Sequence, residues 1–265
     1  VHGNMSSSVH WQPVMERLES KYCIYAMDLR GFGDSSYQTR FDSLHDLARD
    51  VEAFIEALQL ESVTLAGWST GGGIILEAAA DLGHKIKRVV LLDSVGLQGF
   101  AMYRKDSAGH PTADRLVTKE EIAEDPIQVK PVLDAYASDN RALLKMIWDA
   151  SIYNLHQPDA DDYAEYLDAI FKQRNLVDID HALVHFNMTH STNGVEAGSG
   201  RIDSVTCPVV IFHGVNDLVV PFSEAEAMKE AFEDQATLVG FENCGHSLIT
   251  DDLDQLIHQF EHYVD

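Results

Sequence analysis

Gly67-Trp68-Ser69-Thr70-Gly71 sets one hydroxyl between two glycines in a G-x-S-x-G pattern. A serine hydroxyl is a weak nucleophile until a neighbouring base takes its proton. The flanking glycines permit a turn too tight for side chains, which leaves the hydroxyl bare at its tip. The pattern carries weight only between a strand and a helix. That context is present: Val63-Thr64-Leu65-Ala66 reads as a buried strand and Ile74 to Ala80 as a helix. Gly72 and Gly73 extend the small-residue run where the helix would approach neighbouring strands.

A base and its orienting acid follow in the order Ser…Asp…His. Asp217 closes His213-Gly214-Val215-Asn216-Asp217, after the apolar run Val209–Phe212. His246 lies in Asn243-Cys244-Gly245-His246-Ser247, after a strand expected at Thr237–Phe241. Loops at the C-terminal ends of parallel strands converge on one edge of the sheet, where ligands bind. So placed, Ser69, His246 and Asp217 read as nucleophile, base and acid. Asp93 is the rival acid, because it ends the strand Val89–Leu92; its other role would be to bind loop amides. Asp217 is the preferred assignment. The oxyanion of a tetrahedral intermediate needs donors. The backbone N–H of Thr70 is one, and the His2-Gly3-Asn4 turn offers a second at Asn4, with His2 bracing the loop.

The elements that must carry these residues alternate between short apolar runs and helical patterns, the mark of a largely parallel sheet covered by helices. Tyr22–Met27 reads as a further strand, ending at Asp28. Ser43 with Asp46 forms a capping box ahead of helically spaced Leu44, Leu47, Val51, Phe54, Ile55 and Leu58. Ser223 with Glu226 has the same form and opens a helix to about Phe232; a last helix is expected over Asp251–Tyr263. Between Gly96 and Arg201 the rhythm stops. That stretch has no convincing strand, helical patterns at 131–150 and 160–172, and a Gly/Ser-rich end at Gly194–Gly200.

Metal sites are not expected. His181, His185 and His190 lack a carboxylate-rich zinc motif and read as packing or surface residues. Asp159, Asp161 and Asp162 lack calcium-loop spacing and fit a helix N-terminus, as do Asp251, Asp252 and Asp254.

The 265 residues are 45% hydrophobic and 23% charged, enough for a real core. Lys and Arg number 19 against 43 Asp and Glu, a net charge of −24. So acidic a surface repels phosphate, which argues against nucleic acid and anionic membranes as partners. Residues 202–265 hold 13 acids and one base, Lys229. Three scattered cysteines, Cys23, Cys207 and Cys244, argue against a disulfide framework and fit the cytoplasm. No apolar stretch approaches the ~18 residues of a membrane span, and no signal peptide is visible.

Together, His2-Gly3-Asn4, Asp28-Leu29-Arg30-Gly31-Phe32-Gly33-Asp34-Ser35, Gly67–Gly71, His213–Asp217 and Gly245-His246 resemble the α/β-hydrolase family, of the esterase and C–C hydrolase type. The resemblance covers residues 1–96 and 202–265 and implies an α/β-hydrolase core there. Residues 97–201 match only in position, where that family carries a helical cap after its sixth strand. Ser69-Thr70-Gly71-Gly72-Gly73 also resembles the cofactor-free haloperoxidase and perhydrolase branch. The family's sheet places its third strand between the fourth and fifth, and Val1 would be the end of that third strand. The resemblance therefore predicts that roughly 20–30 residues of strand and turn precede Val1, or that another segment fills the gap.

The implied activity is cofactor-free hydrolysis of a small, neutral, partly apolar ester, as by a carboxylesterase acting as monomer or homodimer. A lactonase, thioesterase, C–C hydrolase or perhydrolase could use the same groups, and a small-molecule receptor could retain them. Trp68, Phe100, Met102 and Trp148 are the candidate pocket residues.

Overall fold

The computed structural model describes residues 1–264. Ser43 caps the N-terminus of the helix Leu44–Ala57 as expected: its Oγ accepts from the Asp46 N–H at 3.2 Å, and the Asp46 carboxylate accepts from the Ser43 N–H at 3.1 Å. In chain order the elements are α1 (Gln12–Leu18), α2 (Leu44–Ala57), β1 (Val63–Trp68), α3 (Thr70–Leu82) and β2 (Ile86–Leu92). Next come β3 (Tyr103–Lys105), β4 (Pro111–Arg115), α4 (Lys119–Ala123), α5 (Lys130–Ser138), α6 (Arg141–Ser151), α7 (Ala160–Phe171) and α8 (Leu176–His185). The chain closes with β5 (Val209–Gly214), α9 (Phe222–Phe232), β6 (Ala236–Phe241), α10 (Leu248–Asp251) and α11 (Leu253–Val264).

The main sheet is parallel, in the order β1-β2-β5-β6. Successive strand side chains point to opposite faces, so a strand covered on both sides must be apolar throughout. Val89, Leu91, Val209 and Ile211 pack with α2, α3 and α9. Val90, Leu92, Val210 and Phe212 pack with α1, α11 and the helices between β2 and β5. The long segment joining β2 to β5 is seated on both layers: Ile179, Ala182 and Leu183 of α8 belong to the first cluster, and Leu144 and Trp148 of α6 to the second.

Four expectations need correction. Tyr22–Met27 forms no strand and joins no sheet. Among the described residues, Val1 bonds to the outer edge of β1: its ammonium donates to the Ala66 carbonyl at 2.6 Å and its carbonyl accepts from the Trp68 N–H at 3.1 Å. Beyond Val1, an apolar groove of about 450 Å³ separates residues 22–27 from β1, so their backbone has no ladder to join. Residues 97–201 do contain strands: β3 and β4 pair as a small antiparallel hairpin. It is rich in charged residues and largely exposed, so it lacks the apolar pattern that marks a strand. The helix expected over 131–150 breaks at Asp139, which adopts φ 49°; Asn140 then caps α6 by accepting from the Leu143 N–H at 3.1 Å. Ser223 caps nothing, because Pro221 holds the N-cap position of α9.

Leu91 is fully buried at the centre of the sheet. Leu91→Ala is expected to lower unfolding free energy by about 3 kcal/mol. Met146→Ala, at a side chain 60% exposed, should stay within about 0.5 kcal/mol. Urea unfolding of both variants measures the contrast.

Candidate active site

Ser69 joins β1 to α3 with φ 54° and ψ −123°, a conformation non-glycine residues rarely adopt. The neighbouring glycines make it feasible. A Cβ on Gly67 would lie 2.5 Å from the Gly71 carbonyl oxygen, and one on Gly71 would lie 2.5 Å from that of Val1. A Cβ on Gly3 would stand 2.9 Å from that of Ser69, so the N-terminal turn lies directly against the Ser69 turn.

The turn aims Ser69 Oγ at His246 Nε2, 3.0 Å away. His246 Nδ1 lies 2.7 Å from Asp217 Oδ2. A carboxylate only accepts, so Nδ1 carries the proton and Nε2 is free to accept from the serine hydroxyl. His246 follows β6, and its carbonyl accepts from the Trp68 indole N–H at 2.7 Å, which ties its loop to the residue before Ser69. Asp217 follows β5 and is buried. Its Oδ1 accepts from the Val219 and Val220 amides at 2.7 and 2.9 Å. Burial alone would raise its pKa. The charge of His246 and hydrogen bonds from His213, His246 and the Val220 amide outweigh that and hold the carboxyl well below the usual carboxylate range. Asp217 is therefore ionised wherever His246 works as a base.

Asp93 does not reach His246 through a hydrogen bond. Its Oδ1 accepts from the Gly214 N–H at 2.8 Å and its Oδ2 from the Leu248 N–H at 3.4 Å, which ties together the loops that carry Asp217 and His246. The side chain is fully buried, and burial pushes its carboxyl up to about 6. Asp93, His213 and Asp217 approach one another closely enough to hold an ion. His213 Nε2, however, faces the Val220 carbonyl at 2.9 Å and Asp217 Oδ2 at 3.3 Å, while its buried Nδ1 has no hydrogen-bond partner among the described residues. The group fits a hydrogen-bonded brace better than a metal centre.

Of the expected oxyanion donors, Thr70 directly follows Ser69, and Asn4 follows Gly3, which packs against Ser69. Among the described residues, the N–H groups of Asn4 and Thr70 have no protein acceptor. His2 braces the Asn4 turn: its Nδ1 donates to the Gly3 carbonyl at 2.8 Å and its Nε2 accepts from the Leu29 N–H at 3.0 Å. Burial lowers the His2 pKa to about 4, so the ring stays neutral. In the Asp28–Ser35 motif, Asp28 accepts from the Ser8 and Asp34 amides, and Arg30 pairs with Asp50 through two hydrogen bonds.

Of the pocket candidates, Trp68, Met102 and Trp148 are buried in one cluster and Phe100 packs against its border. The Trp68 ring centroid lies 5.9 Å from His246 and 6.3 Å from Trp148. Sequence reasoning missed His10, which stacks on Tyr166 at 4.3 Å and borders both tryptophans. It also missed Asp180 of α8 and Gln173, which hold the Asn4 side chain. Burial pushes the Asp180 carboxyl up to about 7, against the hydrogen bond from Asn4. Nothing in local spacing marks these residues, because distant segments bring them together. His181 and His185 stack on each other, and His185 also meets Glu196 and the Val117 carbonyl; His190 pairs with Asp203. Asp161 and Asp162 do sit in the first turn of α7. Asp252 and Asp254 sit at the start of α11, where Asp252 accepts from the Gln255 N–H at 3.0 Å, and Asp251 closes the single turn of α10. The Asp251 carboxylate accepts from the Gly245 N–H at 2.7 Å, beside His246.

A sequence model of the family described as alpha/beta hydrolase fold matches residues 1–253, and the chain belongs to that family. The non-heme chloroperoxidase of Streptomyces lividans is 26% identical over 256 residues, 94% of this chain and 84% of that one. The hydrolase YugF of Bacillus subtilis is 39% identical over 113 residues, so the match spans 42% of this chain and 38% of the relative's length. An esterase from Exiguobacterium antarcticum shares the fold at a TM-score of 0.74 and 22% identity, over 100% of this chain and 90% of that one. Among the described residues, no helix is long and apolar enough to cross a membrane.

Asp93 gives a pH prediction. Burial holds its folded pKa at about 6, above the ordinary 3.8 of an aspartate. Its contribution to stability is therefore present below pH ~4 and lost as pH rises through ~6. The difference in unfolding free energy between wild type and Asp93→Asn should shrink over that window. Urea unfolding at successive pH values measures it, and a flat difference would contradict the assignment.

Proposed function

We propose that this chain is a serine hydrolase acting on a small, neutral, partly apolar carboxylic ester. The observation that carries the reading is the hydrogen-bonded line from Ser69 Oγ to His246 at 3.0 Å and on to Asp217 at 2.7 Å. Ser69 Oγ attacks the ester carbonyl while His246 Nε2 takes its proton. The amides of Asn4 and Thr70 hold the oxyanion. The bond to the alcohol then breaks, and the imidazolium returns its proton to the leaving oxygen. Water, deprotonated in turn by His246, attacks the acyl-serine and releases the acid and free Ser69. Asp217 keeps the proton on Nδ1 and stabilises the imidazolium. None of these steps calls for a metal or cofactor.

In this reading residues 1–96 and 202–265 are the catalytic core and 97–201 the cap. Trp68, Phe100, Met102 and Trp148 line the side that receives the apolar part of the substrate. The chain's three cysteines are free thiols, which supports a cytoplasmic setting. A second reading rests on the similarity to the chloroperoxidase: hydrogen peroxide in place of water would take the acyl group and leave as a peracid.

Hydrolysis of a p-nitrophenyl ester chain-length series tests the proposal. Ser69→Ala is expected to reduce kcat on the order of 10⁴-fold or more, and Asp217→Asn on the order of 10³–10⁴-fold. Asp93→Asn should cost much less. Loss of activity in Asp93→Asn with Asp217→Asn left near wild type would reverse the assignment of the acid. If the net charge of −24 extends to the site mouth, anionic esters should react more slowly than neutral analogues at low salt, and added salt should narrow the gap. Equal rates at low salt would place the acidity on the outer surface alone.

A further inference from the structure

The Asn4 side chain is gripped at both ends by groups outside its own catalytic turn. Its Nδ2 donates to Asp180 Oδ1 at 3.0 Å, and its Oδ1 accepts from Gln173 Nε2 at 2.8 Å. Gln173 is itself held, donating to Asn175 Oδ1 at 2.9 Å and accepting from the Tyr136 hydroxyl at 3.2 Å. Asn4 Oδ1 also accepts from the Met5 N–H at 2.8 Å, and Met5 sits at φ 53°, a backbone state that needs support. Every residue of this grip except Asn4 and Met5 lies between β2 and β5.

Asp180 stands out against its neighbour on α8. Asp178 meets cations, Arg40 at 2.5 Å and Lys119 at 2.9 Å. For Asp180 the hydrogen-bonding partner is the neutral amide of Asn4, and among the described residues no cation is paired to it. A half-buried carboxyl whose partner is a neutral amide and not a cation is costly unless its geometry is used. We propose that Asp180 is a positioning residue that fixes the oxyanion turn from across the interface, so that the Asn4 N–H is aimed at the developing oxyanion only when α8 is seated. This rests on the serine-hydrolase reading and adds to it. The segment between β2 and β5 then completes the catalytic geometry as well as covering the site. The residue acts through Asn4 and need not touch substrate.

The test compares Asp180→Ala, Asp180→Asn and Ser69→Ala on p-nitrophenyl acetate, with thermal unfolding of each. In Asp180→Ala, kcat should fall on the order of 10–100-fold with KM within about twofold, the signature of a misplaced transition-state donor. Asp180→Asn should recover kcat to within about threefold, because its amide oxygen accepts the same bond from Asn4. An Asp180→Ala enzyme with kcat within twofold of wild type overturns the proposal. So does an Asp180→Asn enzyme as slow as Asp180→Ala, because the bond from Asn4 would then not be what matters. If Asp180→Ala fails to fold, Asn4→Ala takes its place: it keeps the backbone N–H but loses the bond to Asp180, and a kcat within twofold of wild type overturns the proposal. Activity that survives in Ser69→Ala overturns the serine-hydrolase reading and this inference with it, whereas Ser69→Ala dead beside Asp180→Ala unimpaired removes the inference alone.

Discussion

A single backbone constraint organises this protein: Ser69 must hold φ 54° between β1 and α3. A non-glycine residue in such a state costs about 1–3 kcal/mol, and it persists only when its surroundings over-determine it. The surroundings do so here from several directions. The Ser69 N–H donates to the Leu92 carbonyl at 2.9 Å, and its carbonyl accepts from Gly72 and Val95 at 2.9 and 3.1 Å. Gly67, Gly71 and Gly3 bring backbone close on both sides. The nearly all-buried first turns of α3 and the central strands β2 and β5 supply the apolar contacts that hold the turn in place.

The same constraint gives the site its electrostatic order. With Ser69 fixed, His246 has to meet it from the loop after β6, and Asp217 has to hold His246 from the loop after β5. Asp93 sits behind them, binding an amide from each of those loops. Two buried carboxylates near two histidines are thus pushed apart by their surroundings. Asp217 gains enough donors to stay ionised at low pH, whereas burial dominates at Asp93. The carboxylate beside His246 and the carboxylate behind the loops differ in surroundings, not in residue type.

Much of this was legible in the chain itself. The Gly67–Gly71 pattern encodes its turn locally, because the glycines and the serine are one another's immediate neighbours. Ser69, Asp217 and His246 follow strands whose apolar runs are plain in the sequence, so their convergence on one sheet edge could be read. Strand pairing could not be read the same way. Tyr22–Met27 has the composition of a strand, yet pairing depends on what lies beside it, and a groove lies there. The β3–β4 hairpin has the reverse history: paired in space, it is too polar and short to show in pattern. His10, Gln173 and Asp180 gain their roles only through partners far along the chain, such as the 176 residues that separate Asn4 from Asp180. The preference for Asp217 over Asp93 was readable from the chain, and the 2.7 Å between Asp217 and His246 agrees with it.

The central claim is that Ser69 is a nucleophile activated by His246. Mass spectrometry of the intact protein and its peptides, after treatment with a p-nitrophenyl alkylphosphonate ester, tests it most directly. Attack by Ser69 Oγ on phosphorus would expel p-nitrophenolate and leave one phosphonyl group per chain, on the peptide containing Ser69, and His246→Ala would slow its formation on the order of 100-fold or more. A protein that forms no adduct, or forms it on another residue at the same rate with and without His246, would contradict the account.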